Sequence, residues 1–358
     1  MPKLHRRSFI RHSLKVAAAA TAQAALPSWA LQASPLRLPF LTGVNLAGAE
    51  FGTVFPGEHG TNFMYPGPKD VDYYRSFGFN VLRLPFRWDR LQPDLFAEFE
   101  TAEWQRFERL IKLTLDAGFY IILDPHNGAH RRIRDDGFSK EHMIGSREVP
   151  VEAFTQFWRA LTQRTKQHDK VIYGLMNEPV YIAPQAWFDA AQKAIDVIRY
   201  EGADQLLLVP GTGYSTAHTW LEDGNGIMAG IKDPGDNFAI EAHQYFDWNS
   251  SGQHAEAVSA TIGTERIAKF EAWARENKLR AFLGEFGVSS DPVNLEASHR
   301  FLQHLSDHRD VWLGWAAWAG GPWWPPDFPY KLEPVGNSGI PPQTRLLERE
   351  AANAKAVK

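Results

Sequence analysis

Two glutamates, Glu178 and Glu285, each stand near the end of an apolar run, in Met176-Asn177-Glu178-Pro179 and Gly284-Glu285-Phe286-Gly287. Two carboxyl groups facing one another can divide a displacement between them. One donates a proton to a leaving oxygen, and the other attacks the carbon that the oxygen leaves. Other apolar runs end in the same way, in Leu82-Arg83-Leu84-Pro85-Phe86, Asp124-Pro125-His126-Asn127, Glu241-Ala242-His243-Gln244-Tyr245 and Trp315-Ala316-Ala317-Trp318. Each residue alone has an ordinary explanation, such as a helix cap, a hydrogen-bonded core histidine or an arginine neutralising a buried acid. Together, at matched ends of successive runs, those explanations require many independent coincidences. The two-acid chemistry that fits is glycoside hydrolysis, whose retaining form needs carboxyl groups about 5–5.5 Å apart. The two acids must then differ. Glu178 needs a raised pKa to hold its proton, Glu285 needs a low one, and Arg83 is the cation expected to keep Glu285 ionised.

Something must bring these ends together. From Leu41 onward, strand-like runs alternate with helix-length amphipathic segments. The strands are expected at residues 41–47, 80–86, 120–127, 171–178, 206–211, 237–245, 280–288 and 311–319. Runs such as Ile121-Ile122-Leu123 and Leu206-Leu207-Leu208-Val209 are apolar throughout, as parallel strands buried on both faces require. Helices are expected at 101–117, 150–166, 184–200, 264–277 and 293–308, with Pro184 suited to a first helical position. Eight strands, each followed by a helix, predict a single-domain α/β fold, the (β/α)₈ TIM barrel, with its chemistry at the C-terminal ends of the strands. An open doubly wound sheet would need a phosphate-binding turn after the first strand, and Gly48-Ala49-Glu50-Phe51-Gly52 is not one.

Composition narrows the function classes. The chain has 358 residues, no cysteine and a net charge of −4, which argues against disulfide frameworks, thiolate metal sites and nucleic-acid partners. Arg6-Arg7-Ser8-Phe9-Ile10, an Ala-rich run and the small residues Ser28 and Ala30 resemble a twin-arginine export signal over residues 1–30. That leaves 31–358 as the catalytic domain, periplasmic or extracellular, monomeric and free of the membrane. The run is too short and too rich in Ala to span one. No cofactor and no metal are expected; His126 and His130 share a four-residue spacing but begin a loop.

Asn177-Glu178-Pro179, with Gly284-Glu285-Phe286-Gly287, Arg83, Asp124-Pro125-His126-Asn127 and His243-Gln244-Tyr245, resembles glycoside hydrolase family 5 over residues 43–334. Gly43-Val44-Asn45, Ala49-Glu50-Phe51-Gly52 and Trp318-Ala-Gly-Gly-Pro-Trp-Trp resemble its branch of fungal and bacterial endo-β-1,4-glucanases. The resemblance implies a retaining, endo-acting hydrolase of β-1,4-glucan. Glu178 would be the acid/base and Glu285 the nucleophile. Asn177 would hydrogen-bond the sugar 2-hydroxyl, His126, His243 and Tyr245 would position substrate and acids, and Trp318 would floor the subsite before the cleaved bond. It also implies a cis peptide between Trp318 and Ala319. Family members often carry an aromatic after His-Asn, where Gly128-Ala129-His130 stands here. A β-mannanase, mixed-linkage glucanase or xyloglucanase would use the same two acids. A non-catalytic glycan-binding barrel would have lost one of them.

Thirteen tryptophans are the unusual feature of the composition. Indole faces stack on the C–H faces of pyranose rings. Trp323 and Trp324, in a proline-stiffened loop after the eighth strand, are candidates for sugar contact, and Trp88, Trp220 and Trp248 also fall just beyond strands. Packing is the preferred role for Trp88. Trp312 and Trp315 within the strand, and Trp104, Trp158, Trp187 and Trp273 on helical faces, are expected in the core.

Overall fold

The computed structural model describes residues 38–356, so the expected export signal lies outside the described residues. In chain order the first elements are β1 (Leu41–Leu46), α1 (Pro68–Ser76), β2 (Val81–Phe86), α2 (Trp88–Leu91) and α3 (Thr101–Asp116). Then come β3 (Tyr120–Pro125), β4 (His130–Arg132), β5 (Glu141–Met143), α4 (Val151–Thr165), β6 (Val171–Gly174), α5 (Pro184–Tyr200) and β7 (Leu207–Pro210). The chain continues through β8 (Phe238–His243), α6 (Ile262–Glu276), β9 (Ala281–Glu285), α7 (Pro292–Asp307), β10 (Trp312–Gly320) and α8 (Pro342–Ala356). Strands β1, β2, β3, β6, β7, β8, β9 and β10 close into a barrel of parallel neighbours, with β1 paired to β10. This is the expected (β/α)₈ architecture.

Three local differences have physical causes. No α-helix follows β7; a short 3₁₀ segment, Asn225–Gly230, takes its place. The stretch 211–237 carries six glycines and a proline and has no sustained helical periodicity. Helices α1 and α8 complete the outer ring although their apolar stripes are too sparse to stand out in sequence. Helix α1 is set by Pro68 at its start and by Asp70, whose carboxylate accepts from Gly67 N at 2.7 Å. It buries only Val71 and Tyr74. A two-stranded antiparallel hairpin, β4 with β5, projects from the loop after β3.

The barrel interior explains how an apolar sequence produces a polar mouth. Inward-facing residues recur every second position along a strand. Leu41, Val81, Ile122, Ile172, Leu208, Ala239, Phe282 and Ala316 form a dry inner cluster, each at most 1% exposed. Two residues further along β2, β3, β8 and β9 the inward positions are Arg83, Asp124, Glu241 and Gly284. The same alternation therefore switches the lumen from hydrocarbon to charge within one layer. A second, larger core lies between strands and helices and includes Trp88, Trp158, Trp187, Trp220, Trp312 and Trp315. Burying side chains of this size contributes roughly 1.5–3 kcal/mol each, so these tryptophans belong to stability.

Candidate active site

Arg83 is the hub. It is wholly buried on β2, and its guanidinium spreads over four strands. Its Nη1 donates to Asn45 Oδ1 at 2.8 Å and to Glu285 Oε1 at 2.9 Å, and lies 2.9 Å from Asp124 Oδ2. Its Nη2 donates to Asn177 Oδ1 at 2.9 Å. Nε pairs electrostatically with Glu241 Oε1 at 2.9 Å, off the hydrogen-bonding direction. Burial alone would push the guanidinium pKa down, but Asp124, Glu241 and Glu285 reverse this and raise it further.

Glu285 ends β9 with its side chain 4% exposed. Besides Arg83, its carboxylate accepts from Tyr245 Oη at 2.9 Å and lies 3.7 Å from His243 Nδ1. Burial first, and then the nearby Glu178, raise its pKa above the ordinary carboxylate value, against the pull of His243 and Arg83. The expected depressed value is therefore overturned. The cation is present, but desolvation of the carboxylate outweighs it. Burial and the two glutamates raise the Tyr245 phenol well above its ordinary pKa, so it remains a donor.

Glu178 stands in the turn just beyond β6, at φ +43°. A non-glycine residue in this region costs about 1–3 kcal/mol and needs its surroundings to hold it. Here Asn177 N bonds Pro125 O at 3.0 Å, Gly128 N bonds Asn177 O at 3.0 Å, and Pro179 follows. The Glu178 side chain is 25% exposed, and its Oε1 lies 2.8 Å from His243 Nδ1. Burial works against charge on His243, yet Glu285, Glu178 and Glu241 together push its pKa up to about 10. Both ring nitrogens then carry protons. One oxygen each of Glu178 and Glu285, with a nitrogen of His243, lie within 4.8 Å of one another. Such a triad has metal-ligand spacing, but Arg83 and a protonated His243 already supply the positive charge, which suits acid-pair chemistry rather than a cation.

His126 closes the opposite wall. Its Nδ1 is 2.8 Å from Asp124 Oδ2, and its Nε2 is 3.1 Å from Asn177 Nδ2. Because Arg83 donates to Asn177 Oδ1, the amide nitrogen faces His126 and His126 Nε2 accepts. Burial disfavours charge on this ring, while Asp124, Glu285 and Glu50 raise its pKa. The Trp318 ring stacks on His126 at 5.5 Å and 15°, and the Trp318–Ala319 peptide is cis, as expected.

The aromatic track is smaller than the sequence implied. Trp324 stacks on Phe328 at 3.9 Å, meets Phe51 edge-on at 4.7 Å and reaches Trp318 at 5.6 Å, so it braces the wall behind Trp318. Trp323 is half-buried in the same loop. Trp88 and Trp220 are core residues, 0% and 1% exposed; for Trp220 this overturns the placing at the mouth, because its ring packs edge-on against Phe270. Trp248 is 70% exposed.

All ten candidates fall near the strand ends, above a layer whose residues the motifs contain but to which they assign no role. Asp124, Glu241 and Asn45 hold Arg83, and Asp124 and Glu241 lie two residues before His126 and His243, so period-two alternation was the available signal. Gly284 belongs to the same layer. A Cβ there would collide with Glu241 Oε1 and come within 2.8 Å of His243 Nε2. Glu50 is 8% exposed, accepts from Gly48 N at 2.7 Å, and its pKa is pushed up to about 7 chiefly by burial. Tyr181 and Tyr214, 82% and 47% exposed with hydroxyls 3.4 Å apart, stand beside Glu178. Isolated loop tyrosines carry no periodic signature.

Residues 44–321 match the family model for cellulase (glycosyl hydrolase family 5). Endo-beta-1,4-glucanase B of Aspergillus niger is 33% identical over 307 residues, covering 86% of this chain and 88% of that protein. Endo-beta-1,4-glucanase A of Emericella nidulans is 33% identical over 311 residues, with 86% and 90% covered. Among solved structures, an endo-beta-1,4-glucanase of Xanthomonas axonopodis pv. citri carrying three substitutions superposes with a TM-score of 0.83 at 39% identity, covering 88% of this chain and all of that one. XacCel5A in complex with cellopentaose superposes at 0.82 with 38% identity, covering 87% and 99%.

Proposed function

The chain belongs to glycosyl hydrolase family 5, and on that premise we propose that Glu285 is the nucleophile and Glu178 the acid/base of a double displacement. The reaction is endo-acting hydrolysis of β-1,4-glucan with retention of configuration. The observation that carries the division of roles is the asymmetry of the pair. Two carboxylates lie within 4.8 Å of each other through His243, but only Glu285 touches Arg83 and Tyr245. A separation of this order leaves no room for a water between acid and sugar, which favours covalent attack over inversion.

In the first step, a Glu285 oxygen attacks the anomeric carbon while Glu178 protonates the departing glycosidic oxygen. His243 Nδ1–H occupies Glu178 Oε1, leaving Oε2 for that proton. In the second step, Glu178 takes a proton from water, which attacks the glycosyl ester and frees Glu285. The Tyr245 hydroxyl and Arg83 stabilise the carboxylate as it leaves. Asn177, fixed by Arg83 and His126, has its second amide proton free for the 2-hydroxyl, where contacts strengthen in the transition state. Trp318 supports the sugar before the cleaved bond, with Trp323 beside it and Trp324 behind. Tyr181 and Tyr214 suit the leaving-group side, next to Glu178.

The polymer is the partner, and the protein acts as a monomer after twin-arginine export to the periplasm or beyond. The basic, apolar and small-residue order of residues 1–30 supports that route. Proton NMR of cello-oligosaccharide hydrolysis tests the mechanism: the β-anomer is expected first, and an α-anomer appearing first would overturn the double displacement. The same protein offered carboxymethylcellulose and galactomannan in parallel should favour the glucan. Cleavage of galactomannan alone would move the substrate assignment to mannan.

A further inference from the structure

At the closed end of the barrel, opposite the mouth, three side chains converge where α6 and α7 finish and β10 begins. They are Glu271 on α6, His304 in the last turn of α7 and His308 just after it. We propose that Glu271, His304 and His308 form a binding site for a borderline divalent transition ion of the Zn²⁺ class, which clasps α6 to α7.

One donor atom from each lies within 4.8 Å of the others. The four-residue spacing puts both imidazoles on one side of the helix end, where their rings stack at 4.0 Å and 26°. His308 Nδ1 is 2.8 Å from the His304 carbonyl oxygen. A carbonyl only accepts, so the proton sits on Nδ1 and Nε2 presents a bare lone pair. Metal-binding imidazoles are oriented in this way, by a hydrogen bond from their other nitrogen. Glu271 is held beforehand. Its Oε2 accepts from Trp312 Nε1 at 3.0 Å and faces His304 Nε2 at 2.7 Å, while Oε1 takes Arg275 Nη2 at 2.9 Å. Arg275 is itself neutralised on its other side by Asp310 at 2.7 Å.

Zinc binds nitrogen and oxygen donors at about 2.0–2.2 Å, which sets tetrahedral donors roughly 3.3 Å apart. The His304–Glu271 contact must therefore open by ~0.6 Å, a small swing for a side chain that is 27% exposed, and the proton that His304 Nε2 donates to Glu271 is released to solvent as the ion takes its place. The same exposure lets water fill the remaining positions. Two imidazoles and one carboxylate select Zn²⁺, Ni²⁺, Co²⁺ or Cu²⁺ over Mg²⁺ and Ca²⁺, which prefer oxygen-only cages. The site lies away from Glu178 and Glu285, so its consequence is stability, as features of the N-terminal barrel face usually are.

The full chain, stripped with EDTA, is titrated with ZnCl₂ by calorimetry and followed by thermal unfolding. One ion per chain is expected, with Tm raised by about 3 °C at a hundredfold excess over Kd. His308→Gln should lower the affinity at least tenfold. His304→Gln, which keeps a donor to Glu271, should do the same, and the control His168→Gln, in the turn between α4 and β6, should leave binding unchanged. Stoichiometric uptake that survives His304→Gln and His308→Gln together would overturn the assignment. In the unmutated chain, Co²⁺ should develop the intense visible bands of four- or five-coordination. Weak octahedral bands like those of aqueous Co²⁺ would overturn it independently of any variant.

Discussion

The wall that carries Glu285 and the wall that carries Glu178 are built on different plans. Glu285 is sealed: its side chain is 4% exposed, and Arg83, Tyr245 and His243 surround it. Arg83 is held in turn by Asn45, Asp124, Asn177 and Glu241. Glu178 stands on a turn, is 25% exposed, and has His243 as its near partner. The difference follows from the two proposed tasks. A nucleophile must approach one carbon along one line, so its position is over-determined. An acid/base exchanges a proton with the leaving sugar and then with water, so its oxygen must stay reachable. His243 touches both and couples them.

The comparison breaks most severely at the acids themselves. Glu285→Gln should lower turnover of polymer and of an aryl β-cellobioside alike, by on the order of 10⁴-fold or more. Glu178→Gln should be as severe on polymer, but on an aryl substrate whose leaving group needs no proton the first step should persist, as a burst of released phenol. Equal loss of that burst in both variants would reverse or abolish the division of roles.

The next largest effect is on stability. Arg83→Met removes the guanidinium shared by the buried acids Asp124, Glu241 and Glu285, and removing one partner of a buried ion pair costs about 3–5 kcal/mol. Denaturant unfolding should register this, whereas Glu178→Gln, at a partly exposed site, should unfold within about 0.5 kcal/mol of the parent. An Arg83→Met protein as stable as the parent would mean that the cluster is held by packing alone.

The smallest effect sharpens the picture through pH. Activity requires Glu285 ionised. Its pKa is raised from the ordinary 4.5, so kcat/KM should fall with acid through a pH above that value. Tyr245→Phe removes a hydrogen bond that favours the ionised form, which should move this acid limb further up and lower the maximum about tenfold. An unmoved limb would detach Tyr245 from the titration of Glu285.

Much of this molecule could be read along the chain. The eight apolar runs and their polar ends follow from side-chain chemistry at short range, because a parallel strand buried on both faces has to be apolar until the lumen opens. Hence the strands, the family resemblance and the two glutamates were all legible. The helices α1 and α8 were not, since α1 buries only Val71 and Tyr74 and the buried face of α8 includes the polar Gln343, Thr344 and Glu350, so neither pattern announces which side packs. The placing of Trp220 failed for a related reason: position after a strand does not say which way a loop turns.

What the sequence determined by itself was the set of groups: two glutamates, an arginine, two histidines, an asparagine, a tyrosine and a tryptophan at the ends of parallel strands. Tertiary structure decided their states. Glu285 rises in pKa although Arg83 lies 2.9 Å away. His243 is driven to about 10 by Glu285, Glu178 and Glu241 in spite of its burial. Trp324 becomes a brace against Phe328. Those outcomes depend on desolvation and on distances that include pairs tens to hundreds of positions apart, such as Arg83 with Glu285 and Glu178 with His243, and neither quantity exists until the barrel has closed.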